Sequence, residues 1–324
     1  MDEKAAAERP ARAIFASGDR FARAAPYAGL VLCAALALVP LVLGDYGRSL
    51  VAEVLLYCIF AMSLDLLMGY TGLMSFGHAA FFGIGAYTVA VLGVQFGLHP
   101  LLGMLAAVVL ASLCAAVIGF FCIRASGVYF IMLTLAFAQL LYSVVIRWRS
   151  VTNGTDGITS PQLASGEATY YVVLAFFLIV YFGLRRLVAA PLGNVFIGIR
   201  ENEMRMRAAG YATARFKLLS FVIGGGLGAI AGALFALHNG FVSPGVLFWM
   251  LSGEGMVMVI LGGLGTLLGP IVGASVFIIL KHLVSIYSSH WEFIVGATFI
   301  ACVLFFKQGI YGWCRELLEQ KSRP

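Results

Sequence analysis

Apolar runs follow one another along this chain with few charges to interrupt them; LVLCAALALVPLVL (30–43) is one. Apolar types make up 61 % of the 324 residues and charged types 11 %, and 38 residues are glycine. Soluble domains carry roughly 25 % charge, because a polar coat must cover the core. A coat that thin excludes a soluble enzyme or a nucleic-acid binder, despite the net charge of +6. The runs are continuous rather than alternating in segments of about ten residues, which favours helices over a barrel. At about 20 residues per crossing, the sequence predicts an all-α polytopic membrane protein. It has eight to ten transmembrane helices, some broken at Gly-rich segments, and its first partner is the lipid bilayer.

The expected organisation is a cytoplasmic tail over 1–26, a transmembrane domain over 27–306 and a second cytoplasmic tail over 307–324. Spans are expected at about Ala28–Leu43, Leu50–Met68, from the Gly-rich segment to about Phe96, Leu101–Ile123, Tyr129–Ile146, Tyr170–Leu187, Leu218–Leu237 and Phe293–Phe306. The run 247–280 is expected to bend at Gly262–Gly265 and cross twice. The stretch 185–217 holds seven Lys/Arg and two Glu. Basic loops stay on the cytoplasmic side, which puts that loop and both tails inside and the polar loop 147–169 outside. Because a mixed-charge tail precedes it, the first apolar run reads as a retained span, not a cleaved signal.

Chemistry is sparse. There is no G-x-x-x-x-G-K-[ST], no HExxH and no nucleophile–base pair, so no catalytic residue and no resident cofactor are expected. Five of the six cysteines lie inside apolar runs and read as small packing residues, and the scattered histidines suggest no metal site. Two carboxylates lie deep in apolar stretches, Asp65 in SLDLL and Glu254 in LSGEGM. An ionised group at mid-membrane costs about 3 kcal/mol unless it faces protein or water. Each is therefore either a site residue or a structural hydrogen-bonding group. Glu53 and Glu292 lie near span ends and read as interfacial.

Two Gly-rich breaks stand out, GYTGLMSFGHAAFFGIGAY (69–87) and the segment around Gly262–Gly273. Broken helices expose polar ends that hold a zwitterionic solute. Helix packing alone is the competing reading: Gly224, Gly228 and Gly232 recur every four residues, as do Gly265, Gly269 and Gly273. The candidate substrate pathway comprises Asp65, Gly69, Thr71, Gly72, Ser75, His78, Glu254, Gly262 and Gly263. In the loop 189–217 a short helix is expected from about Asn202 to Ala209, ending at Gly210. It reads either as a solvated loop or as a docking helix.

Four segments in order resemble the permease subunits of branched-chain amino-acid ABC importers: the Gly69–Tyr87 segment, YFIMLTLAFAQL…WRSVTNGTDGI (129–158), IRENEMRMRAAGYATARFKLLSF (199–221) and SPGVLFWMLSGEGMVMVILGGLGTLLGPIVGA (243–274). The longer of the two homologous permease types is the better match. The resemblance implies a homologous second permease, two ABC ATPase subunits that bind the ATP, and a periplasmic substrate-binding protein. It also implies that the loop carries ATPase coupling, with Glu203 and Gly210 at the E-A-A…G positions beside Arg200, Glu201 and Asn202. Met204, Arg205, Met206 and Arg207 stand where alanine is common in that pattern. A related permease for urea or short amides, and a stand-alone ion-coupled transporter, are the alternatives.

Overall fold

A computed structural model describes residues 44–163 and 165–287, together with 40, 293, 296, 297, 300 and 309–313. The tail 1–26, most of the expected first and last spans, Glu292 and most of the tail 307–324 lie outside these residues. Residues 45–324 form one compact unit, and 1–44 belong to another.

The unit is built from helices α1 (Asp45–Asp65), α2 (His78–Phe96), α3 (Pro100–Cys122), α4 (Val128–Arg147), α5 (Gly166–Ala189), α6 (Pro191–Glu201), α7 (Glu203–Ala208), α8 (Thr213–Asn239), α9 (Trp249–Gly262) and α10 (Gly269–Tyr287). Their ends follow local chemistry. Gly97 and Gly240 close α2 and α8 with left-handed φ of 62° and 68°. Pro100 opens α3, where its missing N–H costs nothing, and the Ser165 side chain caps α5 by accepting from the Ala168 amide at 3.1 Å. α1 runs on through a π-helical turn, Leu66–Thr71, closed by Gly72 at φ 78°.

Among the described residues, seven helices are long and apolar enough to cross a bilayer: α1 with its π turn, α2, α3, α4, α5, α8 and α10. α9 is apolar but has only 14 residues. The seven coincide with spans expected between residues 50 and 280, and the run 247–280 divides as expected into two helices, the shorter being α9. The breaks are narrower than the glycine content suggested. Within the two breaks helix is absent over 72–77 and 263–268, and Gly83 and Gly85 lie inside α2.

α8 is the centre of the packing. Its row Gly224, Gly228 and Gly232 meets Leu67 of the π turn, His78 and the Phe82 carbonyl, while Gly225 and Gly226 face Ala115 and Ser112 of α3. The row Gly265–Gly269–Gly273 is not a helix stripe. Gly265 lies in the loop at φ 72°, and α10 starts only at Gly269, because Gly263 at φ 120° has already turned the chain out of α9. Leu102, Leu105, Val109, Leu113, Val117 and Phe120 form an exposed apolar stripe along α3, as a lipid-facing helix requires.

The loop 147–165 is tied down by two-residue strands. β1 (Ile158–Thr159) pairs antiparallel with β2 (Phe241–Val242), Ile158 opposite Val242. In the charged stretch the expected short helix is α7. A second helix, α6, precedes it and was not expected. Pro191 starts it, and Phe196 and Ile199 are buried beneath it.

Candidate transport site

Asp65 is the last α-helical residue before the π turn and is almost fully buried. Its Oδ1 accepts from the Gly265 amide at 2.9 Å, and its Oδ2 is buried without a hydrogen-bond partner. This bond joins the first Gly-rich break to the second across 200 residues of sequence. Gly69 makes the approach possible: a Cβ there would overlap the Asp65 carboxylate and the Gly265 backbone nitrogen.

Arg200 completes the junction. It reaches from α6 and donates from Nη1 to the Gly69 carbonyl. Its side chain also lies over Gly72, and a Cβ on Gly265 would stand 2.8 Å from its guanidinium. The end of α1, the loop after α9 and the charged segment thus meet at one point. π turns inside helices are frequent at functional sites.

The segment 72–77 leaves this junction and ends against α4, where a Cβ on Gly77 would stand 2.7 Å from the Thr134 carbonyl. Thr71 donates to the Leu66 carbonyl at 3.0 Å and pairs with Ser220 at 2.7 Å. Ser75 accepts from the Gly77 amide at 3.3 Å. Ser63 gives its only proton to the Phe60 carbonyl at 2.7 Å, so His78 donates from Nε2 to the Ser63 oxygen at 2.7 Å. The His78 Nδ1 is then a buried acceptor without a partner. The first turn of α2 is held by α9, because the Ala79 amide donates to Ser252 at 2.8 Å.

Residues 48–303 match the family described as branched-chain amino acid transport system, permease component. The chain belongs to this family. The LivM permease protein of a high-affinity branched-chain amino acid transport system in Salmonella typhimurium is 27 % identical over 304 residues, covering 83 % of this chain and 70 % of the relative. A LivM permease of Methanocaldococcus jannaschii is 27 % identical over 290 residues, covering 75 % and 83 %. Among solved structures, a metal-chelate type ABC transporter in an inward-facing conformation aligns with TM-score 0.51 at 14 % identity, over 86 % of this chain and 98 % of that one. That likeness shows a shared helical fold.

In this permease the remaining pathway candidates separate. Gly262 and Gly263 lie in closed backbone packing. A Cβ on Gly262 would overlap the Gly269 carbonyl, and one on Gly309 would stand 2.6 Å from Gly263. Glu254 is remote from that packing; it faces Lys281 of α10 at 3.4 Å. The coupling candidates also divide. Arg200 and Glu201 are both exposed, but the Arg200 guanidinium reaches the Gly69 carbonyl, and Asn202 caps α7 by accepting from the Arg205 amide at 2.9 Å. Glu203 is bound within the chain, to Lys217 at 2.5 Å, Arg207 at 2.7 Å and Thr213 at 3.1 Å. Burial raises its pKa, but these three donors outweigh it and hold the carboxyl below the usual range. Glu203 thus fastens α7 onto α8, and Met204 is the exposed apolar residue of α7. Gly210 follows at φ 88°.

Sequence reasoning missed Lys281 and His282, although both interrupt the apolar run SVFIILKHLVSIY. His282 pairs with Glu53 at 2.8 Å, so that carboxylate joins α1 to α10. It also missed Ser63 and Ser252, whose short polar side chains look neutral in an apolar run.

Proposed function

We propose that the chain is one of two homologous permeases in an ABC importer that carries branched-chain amino acids across the bacterial inner membrane. Two separate ATPase subunits bind and hydrolyse the ATP, a periplasmic protein delivers the solute, and this chain performs no catalysis. Both termini and the α6–α7 segment lie on the cytoplasmic side, in keeping with the seven basic residues of 185–217. The amino-acid cargo follows the names of the relatives.

The observation that carries the reading is the contact between Arg200 and the Gly69 carbonyl. It gives an ATPase docked at α7 a short path into the membrane. ATP binding draws α6 and α7 together with the ATPases, Arg200 pulls on the Asp65–Gly69–Gly265 junction, and the helices bordering both breaks shift between two packings. Gly210 lets the chain leave α7 in a conformation that other residues adopt at a cost.

The wild-type complex in proteoliposomes tests this. Leucine uptake is expected to require ATP, both ATPases and the binding protein. Stimulation of ATP hydrolysis by urea or an amide, but not by leucine, would indicate the related solute class. Uptake by this chain alone under an ion gradient would overturn the ABC reading.

A further inference from the structure

A cavity of about 360 Å3 opens between α1, α2, α4, α9, α10 and the turn before α9. Tyr57, Phe82, Phe248, Met250 and Leu251 supply an aromatic and thioether wall. Glu254 and Lys281 line it as well. Their charged groups stand 3.4 Å apart, and each side chain keeps roughly a quarter of its surface open, 22 % for Glu254 and 28 % for Lys281.

We propose that this cavity is the subsite where the permease holds the free amino acid during passage. Glu254 receives the α-ammonium, Lys281 receives the α-carboxylate, and the wall wraps the branched side chain. The assignment deepens the function proposed above and rests on it.

Three observations carry it. First, opposite charges within membrane helices are expensive, and a purely structural pair is readily replaced by apolar packing. A zwitterion slipped between the two turns one ion pair into two and leaves no net charge buried. Second, the volume lies at the low end of small-molecule sites, about 300–1,000 Å3, and the lining is mainly apolar, with the Glu254–Lys281 pair and the hydroxyl-bearing Tyr57, Tyr142 and Ser243 as its polar residues. That is the chemistry of an amino acid with an aliphatic side chain. Third, Glu254 lies on α9 between two moving parts. Ser252, two residues before it, binds the Ala79 amide at the first break. Gly262, at the other end of α9, leads into the loop whose Gly265 meets Asp65 and Arg200. Gly262 and Gly273 pack α9 directly on α10, so a shift of that loop carries the pair against Tyr57, Phe82 and Tyr142 on the other side of the cavity.

Gly245 provides a clean probe of the cavity. It lines the space, and a Cβ there would meet only the Ser243 hydroxyl, at 3.6 Å. A leucine at this position projects into the cavity without disturbing backbone.

The test uses the complete complex in proteoliposomes, with variants compared at equal amounts of assembled complex. Glu254→Gln, Lys281→Gln and the double variant are each expected to lower leucine moved per ATP hydrolysed by about tenfold or more. Gly245→Leu is expected to shift the alanine-to-leucine uptake ratio toward alanine by about fivefold or more. Recovery of leucine transport to within about twofold of wild type in the Glu254→Gln/Lys281→Gln double variant would mark a structural pair and overturn the assignment. An unchanged selectivity ratio in Gly245→Leu would do the same. Failure of the underlying function would look different, because the wild-type complex itself would then show no ATP-dependent leucine uptake.

Discussion

Asp65 gives one oxygen to a backbone amide and keeps the other buried without a partner. The bond to Gly265 needs an acceptor, not a charge. Asp65→Asn is therefore expected to keep uptake within about threefold of wild type, with its amide oxygen facing Gly265 and its NH2 replacing the unpartnered oxygen. Asp65→Ala leaves the Gly265 amide unpaired, at a cost of about 1–3 kcal/mol, and is expected to lower both the midpoint of thermal unfolding in detergent and uptake. Steep loss of uptake in Asp65→Asn at normal protein level would contradict this and assign the charge to transport. Glu203 behaves differently, because three donors hold its carboxylate below the ordinary range. A depressed carboxylate stabilises the fold above its unfolded pKa of about 4.3, and that stabilisation is lost as pH falls through the lower folded value. The protection of α7 amides against hydrogen exchange should hold from pH 8 down to about pH 5 and fall below the ordinary carboxylate range. Glu203→Gln should weaken it at every pH. Flat protection in Glu203→Gln would show that Glu203 does not fasten α7.

The helices hold together where glycine lets backbones touch. A Cβ on Gly232 would collide with the Phe82 carbonyl, and one on Gly85 with the Ala229 carbonyl, so α2 and α8 cross with nothing between them. Gly232→Leu is expected to cost about 1–3 kcal/mol or more, read as a lower unfolding midpoint and reduced membrane yield, whereas Gly183→Leu, with open space around it, should change neither. Most elements were legible in the sequence, because apolar runs about 20 residues long have few alternatives to a spanning helix. The short helix α7 was also legible, from Asn202 before it and Gly210 after it. α6 was not: PLGNVFIGIRE is amphipathic, but it is short, carries two glycines and adjoins the charged stretch, so it reads as loop until Phe196 and Ile199 are packed. The glycine rows gave a mixed result. Gly224–Gly232 is a packing stripe as its spacing suggested, but the same spacing at Gly265–Gly273 spans a loop and a helix start, since spacing alone carries no dihedral angles.

Across the whole molecule, the site residues named from sequence fell into two lists, pathway and coupling, and the fold joins them at one point. Asp65, Gly69 and Gly72 meet Arg200 and Gly265 there. No local pattern announces contacts between residues 69, 200 and 265; they arise because α1, α6 and α9 carry distant segments to the same point. For the same reason Glu254 looked like a lone buried charge, and only the packing of α9 on α10 gave it Lys281. The account makes Arg200 the link between the ATPase-facing segment and the membrane breaks. The direct test is Arg200→Ala in the assembled complex, with ATP hydrolysis and leucine uptake measured in the same proteoliposomes. Hydrolysis stimulated by the loaded binding protein is expected to persist while uptake falls about tenfold or more. Uptake and hydrolysis that both stay within about twofold of wild type would contradict the central claim.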